Sequence, residues 1–171
     1  MTPEFSRRYT LDAIGSTPRT VSIEATVEER AAVAARFGLV ALHTLSATAT
    51  LTASALGIEA SGRLTGDVVQ SCVVTGDPVA AHIAEPFTLR FIDSEPLVRD
   101  TDEIELSDGD CDLIEMDGGG VDLGEAVAQT LGLALDPFPR SEAERVRENE
   151  RKWVAGEDAG PFAGLKGLLN P

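Results

Sequence analysis

The stretch that decides the fold is SATATLTASALGIEASGRL, residues 46–64. From 46 to 55 every second residue is apolar (Ala47, Ala49, Leu51, Ala53, Ala55), and serine or threonine fills the positions between. A period of two is the signature of a strand with one face on a core and one in water. Gly57 marks a bend, and Ile58, Ala60, Gly62 and Leu64 continue the alternation as a second strand. The apolar side is unusually small, so whatever covers it must approach closely.

Working outward, Val68–Val74 reads as a third strand, followed by the turn Thr75-Gly76-Asp77-Pro78. Residues 79–84 and 87–92 read as two more, the latter alternating Phe87, Leu89 and Phe91 with Thr88 and Arg90. Such short turns imply antiparallel pairing. Upstream, 5–23 reads as an extended lead-in with a turn around Gly15–Pro18. Thr26 and Glu29 form a capping box for a helix over 27–37, and Gly38 suits its end.

Downstream, 93–120 reads as a long acidic loop with short strands near 104–106 and 113–116. Asp122 caps a helix over 123–135, with Glu125 as its capping-box partner and Pro137 and Pro139 beyond its end. Ser141 and Glu144 repeat the pattern before a charged helix, SEAERVRENERKWVAG (141–156), whose apolar stripe is thin. The predicted fold is α+β: a curved, mainly antiparallel sheet, or a partly open barrel, packed with two main helices, plus a charged C-terminal helix and tail. Residues 1–139 form the predicted single domain, and 140–171 the charged helix and a short apolar tail.

No apolar run approaches the roughly 18 residues of a membrane span. The N-terminus has no apolar segment of signal-peptide length, and the two cysteines, Cys72 and Cys111, are too few for a disulfide framework. These features predict a cytoplasmic protein. The net charge of −15 is uneven: 93–125 holds 13 acidic side chains and one basic one, Arg99, whereas 140–171 is balanced. Such a surface disfavours direct nucleic-acid binding, which rests on Lys and Arg neutralising phosphates, and suits a basic protein partner.

Catalytic and metal signatures fail in turn. There is no G-x-S-x-G turn, and the two possible imidazole bases, His43 and His82, each read as a structural or surface histidine. Cys72 reads as a buried small hydrophobe. Asp108, Asp110 and Asp112 begin like a calcium loop, but Leu113 stands where its glycine belongs and Gly119 where its glutamate belongs. Zinc would need a C-x-x-C or paired histidines that the chain lacks. Gly118–Gly120 could cradle a phosphate, yet Asp117, Asp122 and Glu125 already occupy the place of the anion. The chain therefore reads as a non-enzyme that binds no cofactor and no metal. Its expected partner-binding residues are Asp108, Asp110, Asp112, Glu115 and Asp117 on the acidic segment, with Phe162, Leu165 and Leu168 in the tail. The alternative is a small-molecule-binding module with an apolar pocket in the sheet.

VVQSCVVTGDPVAAHIAEPFTLRF (68–91), the acidic stretch, VDLGEAVAQTLGLALDPFPR (121–140) and the closing PFAGLKGL (161–168) follow one another in an order that resembles the YceD family. This is a bacterial and plastid group of large ribosomal RNA subunit accumulation proteins. Cys72, Thr75 and Pro78 match its cysteine-containing strand and turn; Asp122, Leu123 and Leu131–Leu135 match its helix, and Pro137 and Pro139 its exit. Gln129 and Asp136 depart from the common glutamate and proline. Thr75 stands where some members carry a second cysteine, which removes a metal reading. The resemblance implies a non-catalytic role in 23S ribosomal RNA accumulation. The family's genes often lie beside that of ribosomal protein L32, so the implied partner is a basic ribosomal protein such as L32, or a pre-50S particle.

Overall fold

A computed structural model describes residues 3–15, 17–54, 57–92, 112–116 and 119–154. Along the chain run β1 (Arg8–Thr10), α1 (Leu11–Ile14), β2 (Arg19–Glu24), α2 (Val27–Phe37), β3 (Ala41–Ser54), β4 (Gly57–Ser71), β5 (Pro78–Ile92), β6 (Asp112–Glu115), β7 (Gly120–Asp122), α3 (Leu123–Ala134) and α4 (Glu142–Val154). The main sheet has the order β2-β3-β4-β5-β6, and β1 pairs with β7 in a separate two-stranded ribbon. Among the described residues the main sheet is open, with β2 and β6 at its edges. The α+β class stands, and the barrel does not close.

The alternation at 46–55 is the inner half of a longer strand. β3 pairs antiparallel with β4 from Ser54↔Gly57 down to Ala41↔Val69, with a bulge between Leu42 and Thr44. The second and third expected strands are thus one continuous β4, with Gly66 within the ladder, but it ends at Ser71, and Val73 and Val74, expected in the strand, lie in the turn that follows. The two strands expected at 79–84 and 87–92 likewise fuse into β5 through Pro86, which is exposed. β6 pairs parallel with β5, a departure from the otherwise antiparallel pattern. α1 interrupts the extended lead-in.

Leu45, Ala47, Ala49 and Leu51 from β3 and Ile58, Ala60, Leu64 and Val68 from β4 face the core. Val33 and Ala34 of α2 join them, as do Leu123, Val127 and Leu131 of α3, in one apolar cluster. The small side chains have the expected consequence: close approach. A Cβ on Gly132 would lie 2.5 Å from the Phe37 ring, so the bare backbone of α3 is what admits that ring. At Gly62 a Cβ would lie 2.2 Å from the Thr48 carbonyl oxygen across the ladder.

The opposite face of the sheet is a hydroxyl ladder set by register. Thr20 lies opposite Thr50, Ser22 opposite Thr48 and Ser46 opposite Thr65, and their side-chain oxygens stand 3.3, 3.2 and 3.0 Å apart. These cross-strand pairs satisfy one another and keep the face polar.

Both helices start where expected, after Thr26 and Asp122, and at Thr26 the full capping box forms. The Thr26 hydroxyl accepts the Glu29 N–H, the Glu29 carboxylate accepts the Thr26 N–H, and Gly38 ends α2 in the left-handed region at φ 65°. Glu29 also receives both guanidinium nitrogens of Arg7, at 2.7 and 3.0 Å. That hydrogen-bonded Arg7 holds the Glu29 carboxyl below the ordinary carboxylate range, with the Thr26 cap adding to it. A carboxyl depressed in the folded state contributes stability above its unfolded pKa and loses it as pH falls through the folded value. Glu29→Gln is therefore expected to cost about 1 kcal/mol at pH 7, discounted for partial exposure. The cost should shrink toward zero below about pH 4. Urea denaturation of both proteins at pH 7 and pH 3.5 checks it, and a pH-independent difference contradicts the role given to Arg7.

Candidate interaction surfaces

The described residues of Met1–Gln70 and Ala80–Asp136 form one compact unit, and those of Ser71–Val79 and Pro137–Pro171 another.

In the first unit the family-like helix start holds the N-terminal segment. Asp122 leaves β7 and caps α3 by accepting the Glu125 N–H at 3.2 Å. Its carboxylate also accepts the Arg7 N–H at 2.8 Å and the Ser6 hydroxyl. The Leu123 N–H donates to the Arg7 carbonyl, and a Cβ at position 124 would sit 2.7 Å from the Phe5 carbonyl oxygen. Asp122-Leu123-Gly124 is thus a docking slot for Phe5–Arg7, and Phe5 is fully buried. Glu125 does not close the capping box expected of it. Its carboxylate takes a two-pronged bond from Arg36, both contacts 2.9 Å, and Arg36 also reaches Glu4 at 2.9 Å.

The arginines of this unit are occupied by the protein itself. Arg7 and Arg36 are held as described, Arg19 donates to the Ala13 carbonyl, Arg30 to that of Ala25 and Arg63 to that of Ala84, and Arg90 pairs with Glu59 at 3.6 Å. Arg8 has an interaction of its own.

Both histidines are exposed, on β3 and β5. His82 Nδ1 lies 2.7 Å from Asp67 Oδ1, and the Thr44 hydroxyl donates to Asp67 Oδ2 at 2.7 Å. These bonds, Thr44 first and His82 next, with His43 contributing charge, lower the Asp67 pKa. Among the described residues no group of three or more potential metal ligands comes together.

The second unit changes the reading of Cys72. The residue is buried, at 3% exposure, as a small hydrophobe would be. Its backbone, however, closes a tight turn: its N–H donates to the Asp77 carbonyl at 2.8 Å and its carbonyl accepts the Gly76 N–H at 2.9 Å. The Ser141 N–H donates to Sγ at 3.4 Å. Hydrogen bonds from the Thr75 hydroxyl, then from the Ser141, Thr75 and Val74 N–H groups, bring the thiol pKa down to about 6 against the opposing effect of burial. The Thr75 hydroxyl also donates to Asp77 at 2.7 Å, and it has one proton to give, so the N–H groups are the constant part of the cradle. Sequence reasoning missed this because two donors come from the turn's own backbone and a third from Ser141, 69 residues away.

The capping box expected at Ser141 and Glu144 does not form. The Ser141 carbonyl accepts the Glu144 and Arg145 N–H groups, but its hydroxyl is buried without a hydrogen-bond partner. The Glu144 carboxylate instead pairs with Arg147 and Arg151, at 3.6 and 3.3 Å, and is itself buried.

Of the residues expected to bind a partner, Asp112 and Glu115 fall on β6, with nothing described of their side chains. Asp108, Asp110, Asp117, Phe162, Leu165 and Leu168 lie outside the described residues, as does Cys111. No described helix is long and apolar enough to cross a membrane.

Comparison with known proteins gives one match. The family model of the large ribosomal RNA subunit accumulation protein YceD covers residues 60–169. No curated protein and no solved structure matches the chain.

The cradle predicts that, in a Cys111→Ser background, thiolate absorbance near 240 nm rises with a midpoint near pH 6. Thr75→Val should move that midpoint up toward the roughly 8.5 of a free thiol. A wild-type midpoint already at the free-thiol value contradicts the cradle. For the N-terminal slot, Asp122→Ala should cost about 2 to 3 kcal/mol in urea denaturation, a lost cap plus two lost hydrogen bonds.

Proposed function

The chain belongs to the YceD family, described as large ribosomal RNA subunit accumulation proteins, and from that membership we propose a non-catalytic binding factor that supports 23S ribosomal RNA accumulation by handling a basic ribosomal protein, such as L32, or a pre-50S particle. The coarser part of this reading, a role in large-subunit ribosomal RNA accumulation, is the one the family description supports.

The observation that carries the finer part is the state of the charges. The chain has a net charge of −15, and each described arginine of the sheet-containing unit is engaged with an acceptor or partner of the protein. Acidic residues are in surplus and the cations are spent internally. Such a protein is electrostatically matched to a lysine- and arginine-rich chain rather than to a phosphate backbone. An acidic factor can then affect ribosomal RNA indirectly, by keeping a basic ribosomal protein soluble and correctly delivered. The acidic segment around Asp108, Asp110, Asp112, Glu115 and Asp117 supplies the charge, and Phe162, Leu165 and Leu168 supply an apolar anchor. A binding surface built of charge and an anchor needs no catalytic group, cofactor or membrane, and it suits the cytoplasm.

The test is sucrose-gradient sedimentation of lysates at low and high salt, together with 23S ribosomal RNA measurement in a deletion strain. The expected result is co-migration with large-subunit precursors that weakens as salt rises, and reduced 23S ribosomal RNA after deletion. Absence from those precursors, with normal 23S ribosomal RNA after deletion, overturns the proposal. Replacing Asp108, Asp110 and Asp112 by Asn should reduce the association at least several-fold while leaving the urea midpoint unchanged.

A further inference from the structure

The Ser141 carbonyl accepts the N–H groups of Glu144 and Arg145, so Ser141 stands at the start of α4, a helix of 13 residues. Its own N–H donates to Cys72 Sγ at 3.4 Å. The sulfur therefore lies at the positive end of a helix, and it receives the Val74 and Thr75 N–H groups of its own turn as well. These donors favour the thiolate, and a thiol pKa of about 6 makes that form the majority at pH 7. A second observation concerns the Ser141 hydroxyl. Its oxygen is buried without a hydrogen-bond partner, the one such side-chain atom among the described residues. The N–H bond to Cys72 and the short reach of a serine side chain keep that oxygen within about 7 Å of Sγ. A reaction that adds a polar atom to the sulfur supplies the acceptor this hydroxyl lacks.

We propose that Cys72 is a site of modification by small hydroperoxides, its thiolate taking one oxygen to become a sulfenic acid whose oxygen accepts the Ser141 hydroxyl. The sulfur supplies the electron pair of the new S–O bond as the O–O bond breaks. The transferred oxygen keeps its proton, and the leaving hydroxide or alkoxide takes a proton from water. Sulfur is oxidised and the peroxide reduced. Cys72 is 3% exposed, whereas residues 73–78 of its turn are all exposed. A molecule the size of hydrogen peroxide needs only a local opening of that turn to reach the sulfur, and a bulky disulfide such as oxidised glutathione needs far more. The modified atom sits where the turn is joined to α4, so the oxidation state of the sulfur is written into that joint. The inference concerns the second unit by itself and does not rest on the ribosomal reading.

Hydrogen peroxide treatment of the full chain carrying Cys111→Ser tests it, with sulfenic acid trapped by dimedone and mapped to Cys72 by mass spectrometry. At pH 6 the folded chain should be labelled about tenfold faster than the same chain unfolded in urea. The folded thiol is about half ionised there, a free thiol of pKa about 8.5 hardly at all, and the lower nucleophilicity of the more acidic thiolate takes back part of the gain. The ratio should shrink as pH rises. Ser141→Ala should leave the thiolate midpoint near pH 6 and slow labelling about two- to tenfold, the worth of one hydrogen bond. Folded-chain labelling at pH 6 no faster than that of the unfolded chain overturns the proposal. So does labelling that Ser141→Ala leaves unchanged, because the hydroxyl then takes no part in receiving the oxygen.

Discussion

One carboxylate joins three parts of the sheet-containing unit. Asp122 is the last residue of β7 and the cap of α3, and it also anchors Ser6 and Arg7 of the N-terminal segment. Without it the first turn of α3 has an unanswered N–H, and the strap that lays Phe5 into the core loses its fixed end. From Arg7 the path continues through the two-pronged bond to Glu29, which completes the capping box of α2. Both core helices are thus started by the same short N-terminal segment. Arg36, reaching from the end of α2 to Glu125 in the first turn of α3 and to Glu4, closes the circuit. Each bond is modest alone, but they share partners, so their losses should not add independently.

The same use of charge runs through the described arginines of the unit. Arginine is suited to planar, two-pronged carboxylate binding and to reaching backbone carbonyls, and here it is used for that architecture throughout. The net charge of −15 is the excess of 29 acidic over 14 basic residues in the whole chain. The hydroxyl ladder on the outer face of the sheet fits the same pattern, since its oxygens pair across strands rather than standing ready for a ligand.

What was legible in the sequence was local. The alternation at 46–64 gave the right faces because a strand's inward and outward positions depend only on parity. Thr26 with Glu29, and Asp122, were legible because a cap is decided within four residues. The strands expected on either side of Gly66 and of Pro86 are continuous, since glycine fits within a ladder where the neighbouring chain leaves room and proline fits a strand where its missing N–H goes unused. The pairing of β1 with β7 joins residues more than a hundred positions apart and has no local signal. The same limit hid the Asp67, Thr44 and His82 cluster, in which the register that runs from Ser54↔Gly57 sets Thr44 opposite Asp67. The resemblance placed Cys72, Thr75 and Asp122 as matching residues, yet what the cysteine does chemically needed the three-dimensional arrangement.

Cys72 and Ser141 show why the second unit differs in kind from the first. In the sheet, a residue's environment follows from parity and register, so a buried cysteine would be a small hydrophobe. In the 72–77 turn the Val74 and Thr75 N–H groups stand outside any ladder. They lie on the sulfur, and its acidity rises accordingly. Ser141 carries the reciprocal cost. Its N–H is committed to Cys72 and its hydroxyl, buried without a partner, no longer caps α4. Glu144, freed from the capping box, is held by Arg147 and Arg151 instead. A motif that reads as a helix start is thereby converted into a clasp between a turn and a helix, with a polarised sulfur at its centre.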